Sequence, residues 1–259
     1  MKVLRFLLIA LLALVPARGF AAESAASASL YNQGNQSYRD GVYEQAVEYY
    51  ESALEQGVSD ERLEYNLACA YAKLDQIGRA RLHFERARLL EPGDEDVRRN
   101  LEILRARIPG EPERLSAGVL EGVVSWYESL GTPDLAWAGL VLWWIFWVLW
   151  IAQVRWRDDQ RGEWARLGRF AALAFLAGAL AIAYAKHQQL SQPKAVIMDD
   201  GVSVRAGPTE EESEVLRLAA GRLVDRGRSR GTWVEVSLPG EFEGWLPSSA
   251  VSDLLPPVR

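Results

Sequence analysis

Very little in this chain of 259 residues is equipped for covalent or metal chemistry. The single cysteine, Cys69, can close no internal disulfide, and no cysteine lies near the N-terminal apolar run to accept a lipid. The two histidines, His83 and His187, form no pair at metal-ligand spacing. A phosphate loop, a nucleotide-binding glycine motif and a nucleophile elbow are all missing. Paired acids at Asp158 and Asp159, and at Glu210 to Glu212, fall in expected solvated turns. These absences predict a protein that is not an enzyme and uses no metal or cofactor. Basic blocks are also scarce outside the stretch after Trp150, and the formal charge is -6, so nucleic acid is not an expected partner.

Apolar residues are plentiful but unevenly spread, concentrated in residues 1–15, 135–154 and 167–185. The first cluster follows Lys2 and Arg5 and ends in small residues, which predicts a secretory signal peptide over residues 1–21 and export of the segment beyond it. From Leu135 to Val154 the only polar residue is Gln153, a length that matches a hydrocarbon layer of about 30 Å. Residues 167–185 predict a second span, with Arg169 able to snorkel at its start. The intervening loop, 155–166, is rich in arginine, whereas the flank before the first span has no Lys or Arg. That asymmetry predicts a cytoplasmic loop with both soluble segments on the outer side.

Trp143, Trp147 and Trp150 recur at helical spacing and form a bulky face; Ala174 and Gly178 give the second span a small one. Such faces suit packing between the spans or against partner helices. Residues 113–131, with Leu115, Val119, Leu120, Val123, Trp126 and Tyr127, predict an amphipathic helix that lies on the membrane surface or on the preceding domain.

Residues 27–60 and 61–94 correspond at a period of 34. Gly34 aligns with Ala68, Ala46 with Ala80, Tyr50 with Phe84 and Ala53 with Ala87, while Asn32, Asn66 and Asn100 share one phase. Small residues let paired helices approach and the aromatic fills the remaining gap, so this segment resembles the tetratricopeptide repeat. A capping helix from Glu95 to Ile108, with Val97, Leu101 and Leu104 inward, completes a domain over 27–108. The resemblance implies a concave partner-binding face lined by Tyr31, Asn32, Asn35, Tyr38, Tyr65, Asn66, Cys69, Lys73 and Arg99. Some relatives clamp a peptide carboxylate with paired asparagines and basic residues; here Asn35 and Asn66 match, but Tyr31, Asp96 and Asn100 stand where the basic residues would be. Asn35 and Asn66 are then either ligand contacts or helix-to-helix hydrogen bonders.

In residues 194–255, short alternating runs separated by Gly, Pro and Asp predict a small antiparallel barrel. The segments "VSVRAGPT", "LAAG", "WVEV" and "GWLP" resemble the bacterial SH3-like domain in order and spacing. Val202, Val204, Trp233 and Trp245 then belong to the fold, and Arg226, Arg228 and Arg230 to a solvated loop.

The predicted architecture is a multi-domain membrane protein: an all-α repeat domain, a two-helix transmembrane hairpin and a small all-β SH3-like barrel. This order of modules resembles the BatE-type proteins of bacterial aerotolerance operons. The resemblance implies a non-catalytic scaffold in the bacterial inner membrane with both soluble domains periplasmic. Its implied partners are von Willebrand A-domain Bat proteins and a MoxR-type ATPase system. The alternative is an adaptor whose barrel binds peptidoglycan and whose repeats recruit envelope enzymes.

Overall fold

The computed structural model describes residues 25–56, 60–111, 127, 129–155, 160–238 and 240–255. The expected signal peptide lies outside the described residues, as does the expected amphipathic helix apart from Tyr127 and residues 129–131.

Five helices build the N-terminal domain: α1 (Ala25–Arg39), α2 (Tyr43–Glu55), α3 (Glu61–Lys73), α4 (Ile77–Leu90) and α5 (Glu95–Arg105). Asp60 starts α3 by accepting from the Arg62 amide at 3.0 Å, and Asp94 starts α5 by accepting from Asp96 and Val97 at 2.7 and 2.9 Å. The core stacks small residues against aromatics: Ala46, Ala53, Ala68, Ala80 and Ala87 are buried with Tyr50, Tyr71 and Phe84. Gly34 shows why the small residues are needed. A Cβ there would lie 2.5 Å from the Tyr50 ring, so only glycine lets α2 seat its tyrosine over α1. Val97, Leu101 and Leu104 of α5 close the open face of the second pair.

Two long helices follow, α6 (Thr132–Arg155) and α7 (Gln160–Ser191). Each contains a stretch long and apolar enough to cross a membrane, Asp134–Arg155 and Arg166–Gln188. Only 6% of either apolar window is buried inside the protein, so neither is the core helix of a soluble domain. α7 begins before the expected loop ends, because hydropathy reports which residues avoid water and not where helical hydrogen bonding stops. Within the hairpin, Leu135, Gly139, Leu142, Phe146, Leu149 and Gln153 on α6 and Ala172, Leu176, Ala179 and Ala183 on α7 recur at coiled-coil spacing among the less exposed positions, which also include Leu140, Trp144 and Ala152 on α6 and Gly168, Arg169, Ile182 and Lys186 on α7. Close approach at Gly139–Leu176 and Gly168–Leu149 sets the antiparallel register.

The hairpin seam bears on the tryptophan and small-residue faces. Trp143, Trp147 and Trp150 are 46, 37 and 42% exposed and point away from α7. They stack edge to face on one another along α6, with centroids 5.8 and 5.4 Å apart. Ala174 and Gly178 are exposed too, and a Cβ at Gly178 would meet nothing within 4 Å. Of the two packings these faces suit, between the spans or against partner helices, the pairing of α6 with α7 uses neither face, because the leucine, glycine and alanine stripe allows a closer approach than tryptophan would.

The remaining residues form seven strands: β1 (Lys194–Ile197), β2 (Val202–Arg205), β3 (Glu214–Leu218), β4 (Leu223–Arg230), β5 (Trp233–Leu238), β6 (Phe242–Pro247) and β7 (Val251–Asp253). They pair antiparallel in the order β3-β2-β6-β5-β4-β1-β7 around Ile197, Val204, Val234, Val236 and Leu246. Gly244 is required where β6 crosses β2, since a Cβ would meet Val204 Cγ1 at 2.5 Å and the Arg205 carbonyl at 2.8 Å. Arg226, Arg228 and Arg230 lie on β4 and not in a loop. Pairing across the sheet explains this: Arg226 bridges to Asp253, and Arg228 to Glu235 at 3.1 Å. Hydrogen bonds from Arg228 hold the Glu235 carboxyl below its usual range.

Candidate functional site

The concave face is built by α1, α3 and α5, and Asn35, Asn66 and Asn100 are engaged between helices. Asn66 Nδ2 donates to Tyr31 Oη at 2.9 Å and to Asn35 Oδ1 at 3.0 Å. One repeat on, Asn100 Nδ2 donates to Tyr65 Oη at 2.9 Å. Asn35 Oδ1 also accepts from Tyr50 Oη at 2.8 Å, and burial pushes the Tyr50 and Tyr65 phenols above their ordinary range, so both stay neutral. The 34-residue asparagine phase therefore stitches each repeat to the next through the tyrosine 35 positions earlier. Asn32, Lys73 and Arg99 stand exposed, Tyr38 is half-buried with its ring edge-on to Tyr43 at 5.3 Å, and the Cys69 thiol is pushed up to about 11 by burial. The face offers a partner an exposed asparagine, two separated cations and tyrosine edges.

Behind this face lies a buried ionic cluster. Glu85, fully buried, accepts from Arg81 Nε at 2.9 Å, Arg88 Nε at 2.8 Å and Arg105 Nη2 at 3.0 Å. Burial alone would push its carboxyl up, but Arg88, Arg81 and Arg105 together hold it far below the usual carboxylate range. His83 bonds Glu64 at 2.6 Å in the same layer and stacks on Tyr71.

The repeats and the barrel touch. Leu82 of α4, Val196 of β1 and Leu254 are all buried in one apolar cluster, with Leu89, Met198 and Leu223 packed around it. Arg86 donates to the carbonyls of Leu254 and Asp253, each at 3.1 Å. Glycine sits on both sides of the seam. A Cβ at Gly78 would lie 2.5 Å from the Met198 carbonyl, and one at Gly221 would lie 2.7 Å from Ile108 Cδ1. Gly221 also has φ +85°, a conformation that suits glycine. Nothing in the 34-residue pattern announces this seam; the one sequence hint is Gly78 early in a helix, where glycine is otherwise unfavourable.

At the far end of the hairpin, Lys186 donates to the carbonyl of Tyr127 at 3.0 Å and to that of Leu130, which ties the end of α7 to the chain entering α6. The Asp134 carboxylate accepts from the Gly131 amide at 2.8 Å at the start of α6.

Together these features define the class of architecture: antiparallel helix repeats docked on a small β-barrel, beside an apolar helical hairpin. Residues 198–253 match the Bacterial SH3 domain family. No curated protein matches the chain. Among solved structures, the Arabidopsis OM64 TPR domain is 16% identical with a TM-score of 0.30, covering 57% of this chain and 93% of that one, a likeness too loose to carry more.

Proposed function

We propose that this protein is a non-catalytic scaffold anchored in the bacterial inner membrane, which holds partner proteins against the periplasmic face. The observation that carries it is the seam: a repeat module and a barrel pack together where Gly78 meets the backbone of Ile197 and Met198 and Gly221 meets the Ile77 and Ile108 side chains, which leaves each module an exposed face. Because the seam requires both modules to share a compartment, it also supports an even number of crossings between them, as the α6–α7 hairpin provides. The lack of Lys and Arg before α6 and the arginines after it favour a periplasmic body. The order of modules favours a Bat-type aerotolerance complex, with von Willebrand A-domain proteins and a MoxR-type ATPase system as partners. The outward tryptophans of α6 suit a partner's membrane helix. Affinity purification of the tagged chain from gently solubilised membranes, read by mass spectrometry, is expected to recover A-domain proteins; recovery of none counts against the scaffold.

A second reading, a peptidoglycan-binding adaptor, is favoured by the Bacterial SH3 match. Full-length protein in nanodiscs that sediments with purified sacculi would support it.

A further inference from the structure

The seam leaves a crevice of about 390 Å³, a volume within the range of ligand pockets, roughly 300–1,000 Å³. Its floor is Arg222, its rims are Pro109 and Gly110 of the repeat domain and Phe242 of the barrel, and one wall is the run Leu216 to Ala219. The Arg222 side chain is only 5% exposed. One terminal nitrogen, Nη2, bonds Glu241 at 2.9 Å, but Nη1 is buried with no acceptor among the described residues. A buried guanidinium with one arm unsatisfied is costly, and the arrangement that satisfies both arms is a carboxylate taken end-on. Glu241 does not do this, and its side chain is 51% exposed, so it is free to leave.

The wall matters as much as the floor. Strand β3 pairs only with β2 among the described residues and is an edge of the sheet, so its other backbone side is open to a further strand. Leu216 is half-buried on it, and Arg217 stands at the crevice beside Glu214. An extended chain laid along β3 and ending at Arg222 would pair with the edge, touch Leu216 and Phe242, and place a terminal carboxylate at both guanidinium arms.

We infer that this crevice binds the free C-terminal end of an extended L-peptide, with Arg222 taking the carboxylate from Glu241 and β3 taking the backbone as an added strand. The ligand is a protein tail; a muramyl stem peptide, with alternating D and L residues and a γ-linked glutamate, does not continue a strand ladder. The proposal rests on the scaffold reading only in expecting a protein partner, and it is tested without any Bat protein.

The test uses detergent-solubilised full-length protein and two pools of fluorescein-labelled randomised L-hexapeptides, one with free carboxyl ends and one amidated. Fluorescence anisotropy is expected to show the free-acid pool binding about 10-fold or more tightly than the amide pool. Glu241→Gln, which replaces the competing carboxylate at Nη2 with a weaker, neutral acceptor, is expected to tighten binding. Arg217→Glu, an exposed change that gives up the ion pair to Glu214, is expected to weaken it. Arg222→Gln is expected to abolish the acid-over-amide preference, and circular dichroism checks that the barrel still folds. Equal binding of the two pools, weaker binding by Glu241→Gln, or preference for a D-Ala-ended stem peptide over the L-pool would each overturn the proposal.

Discussion

Gly78→Ala separates the stability of the helix from the docking of the barrel. A Cβ at position 78 would lie 2.5 Å from the Met198 carbonyl oxygen, 2.7 Å from that of Ile197 and 2.8 Å from Met198 Cα. All three atoms are backbone, and this strand end is held by the Ile197 amide bonding Arg222 and the Met198 amide bonding Ala250. The contact is relieved only if the barrel withdraws from α4. Overpacking of this kind costs about 1–3 kcal/mol, or roughly 5- to 150-fold in the docked-to-undocked ratio. Alanine also favours the helix by up to about 1 kcal/mol, but that gain is present in both docked and undocked states and cancels from the docking equilibrium. The repeats should therefore unfold no more readily while the seam opens more often. Two thiols in one sample report this. In a Leu254→Cys background the new thiol lies at the seam, and native Cys69 packs against the repeat core. Adding Gly78→Ala should speed alkylation at position 254 by about 5- to 150-fold and leave that at Cys69 unchanged. Gly93→Ala, whose Cβ would come no nearer than 3.7 Å to a neighbour, should change neither. An unchanged rate at position 254, or a matching rise at Cys69, would refute the seam as a backbone-limited contact.

Removing the Glu85 carboxylate leaves three arginines without their shared partner, so Glu85→Gln should cost about 3–5 kcal/mol in chemical unfolding followed by far-UV circular dichroism. Because the folded-state value is depressed, the carboxylate's stabilisation is complete above its unfolded value of 4.5 and is lost as pH falls below that toward the depressed one; Glu85→Gln should flatten this acid limb. Cys69, raised to about 11, should alkylate far more slowly at pH 8 in the folded protein than in the urea-unfolded chain; equal rates would place it on the surface. Replacing Trp143, Trp147 and Trp150 together with leucine should preserve membrane insertion, judged by carbonate extraction, and reduce partner recovery, since these rings face away from α7; undiminished recovery would dismiss them as a docking face.

Some of the candidate site was legible in sequence and some was not, for physical reasons that differ by residue. Tyr31 and Tyr65 recur at the repeat period, as do Asn66 and Asn100. That periodicity places them on one face, yet whether an amide there meets a ligand or the next helix depends on the distance between helices, which side-chain packing sets. The tryptophan spacing in α6 identified a face but not its direction, because two helices in an apolar medium choose the stripe that lets them come closest. Arg226, Arg228 and Arg230 looked solvated because charge suggests a loop, whereas cross-strand acids at Glu235 and Asp253 make a strand acceptable to them.

Sequence alone determined the features that local chemistry controls: the 34-residue alternation of small and large residues that pairs helices, two apolar stretches of membrane length, and the short alternating runs of a barrel. Each arises from the backbone's own period and the avoidance of water within a few turns or strands. Tertiary structure alone decided that the barrel docks on α4 and opens a crevice over Arg222. Arg86 and Leu254 are 168 residues apart, and Gly78 meets Met198 only because two surfaces fit without a Cβ between them. Shape complementarity of that kind has no period, so no pattern along the chain carries it.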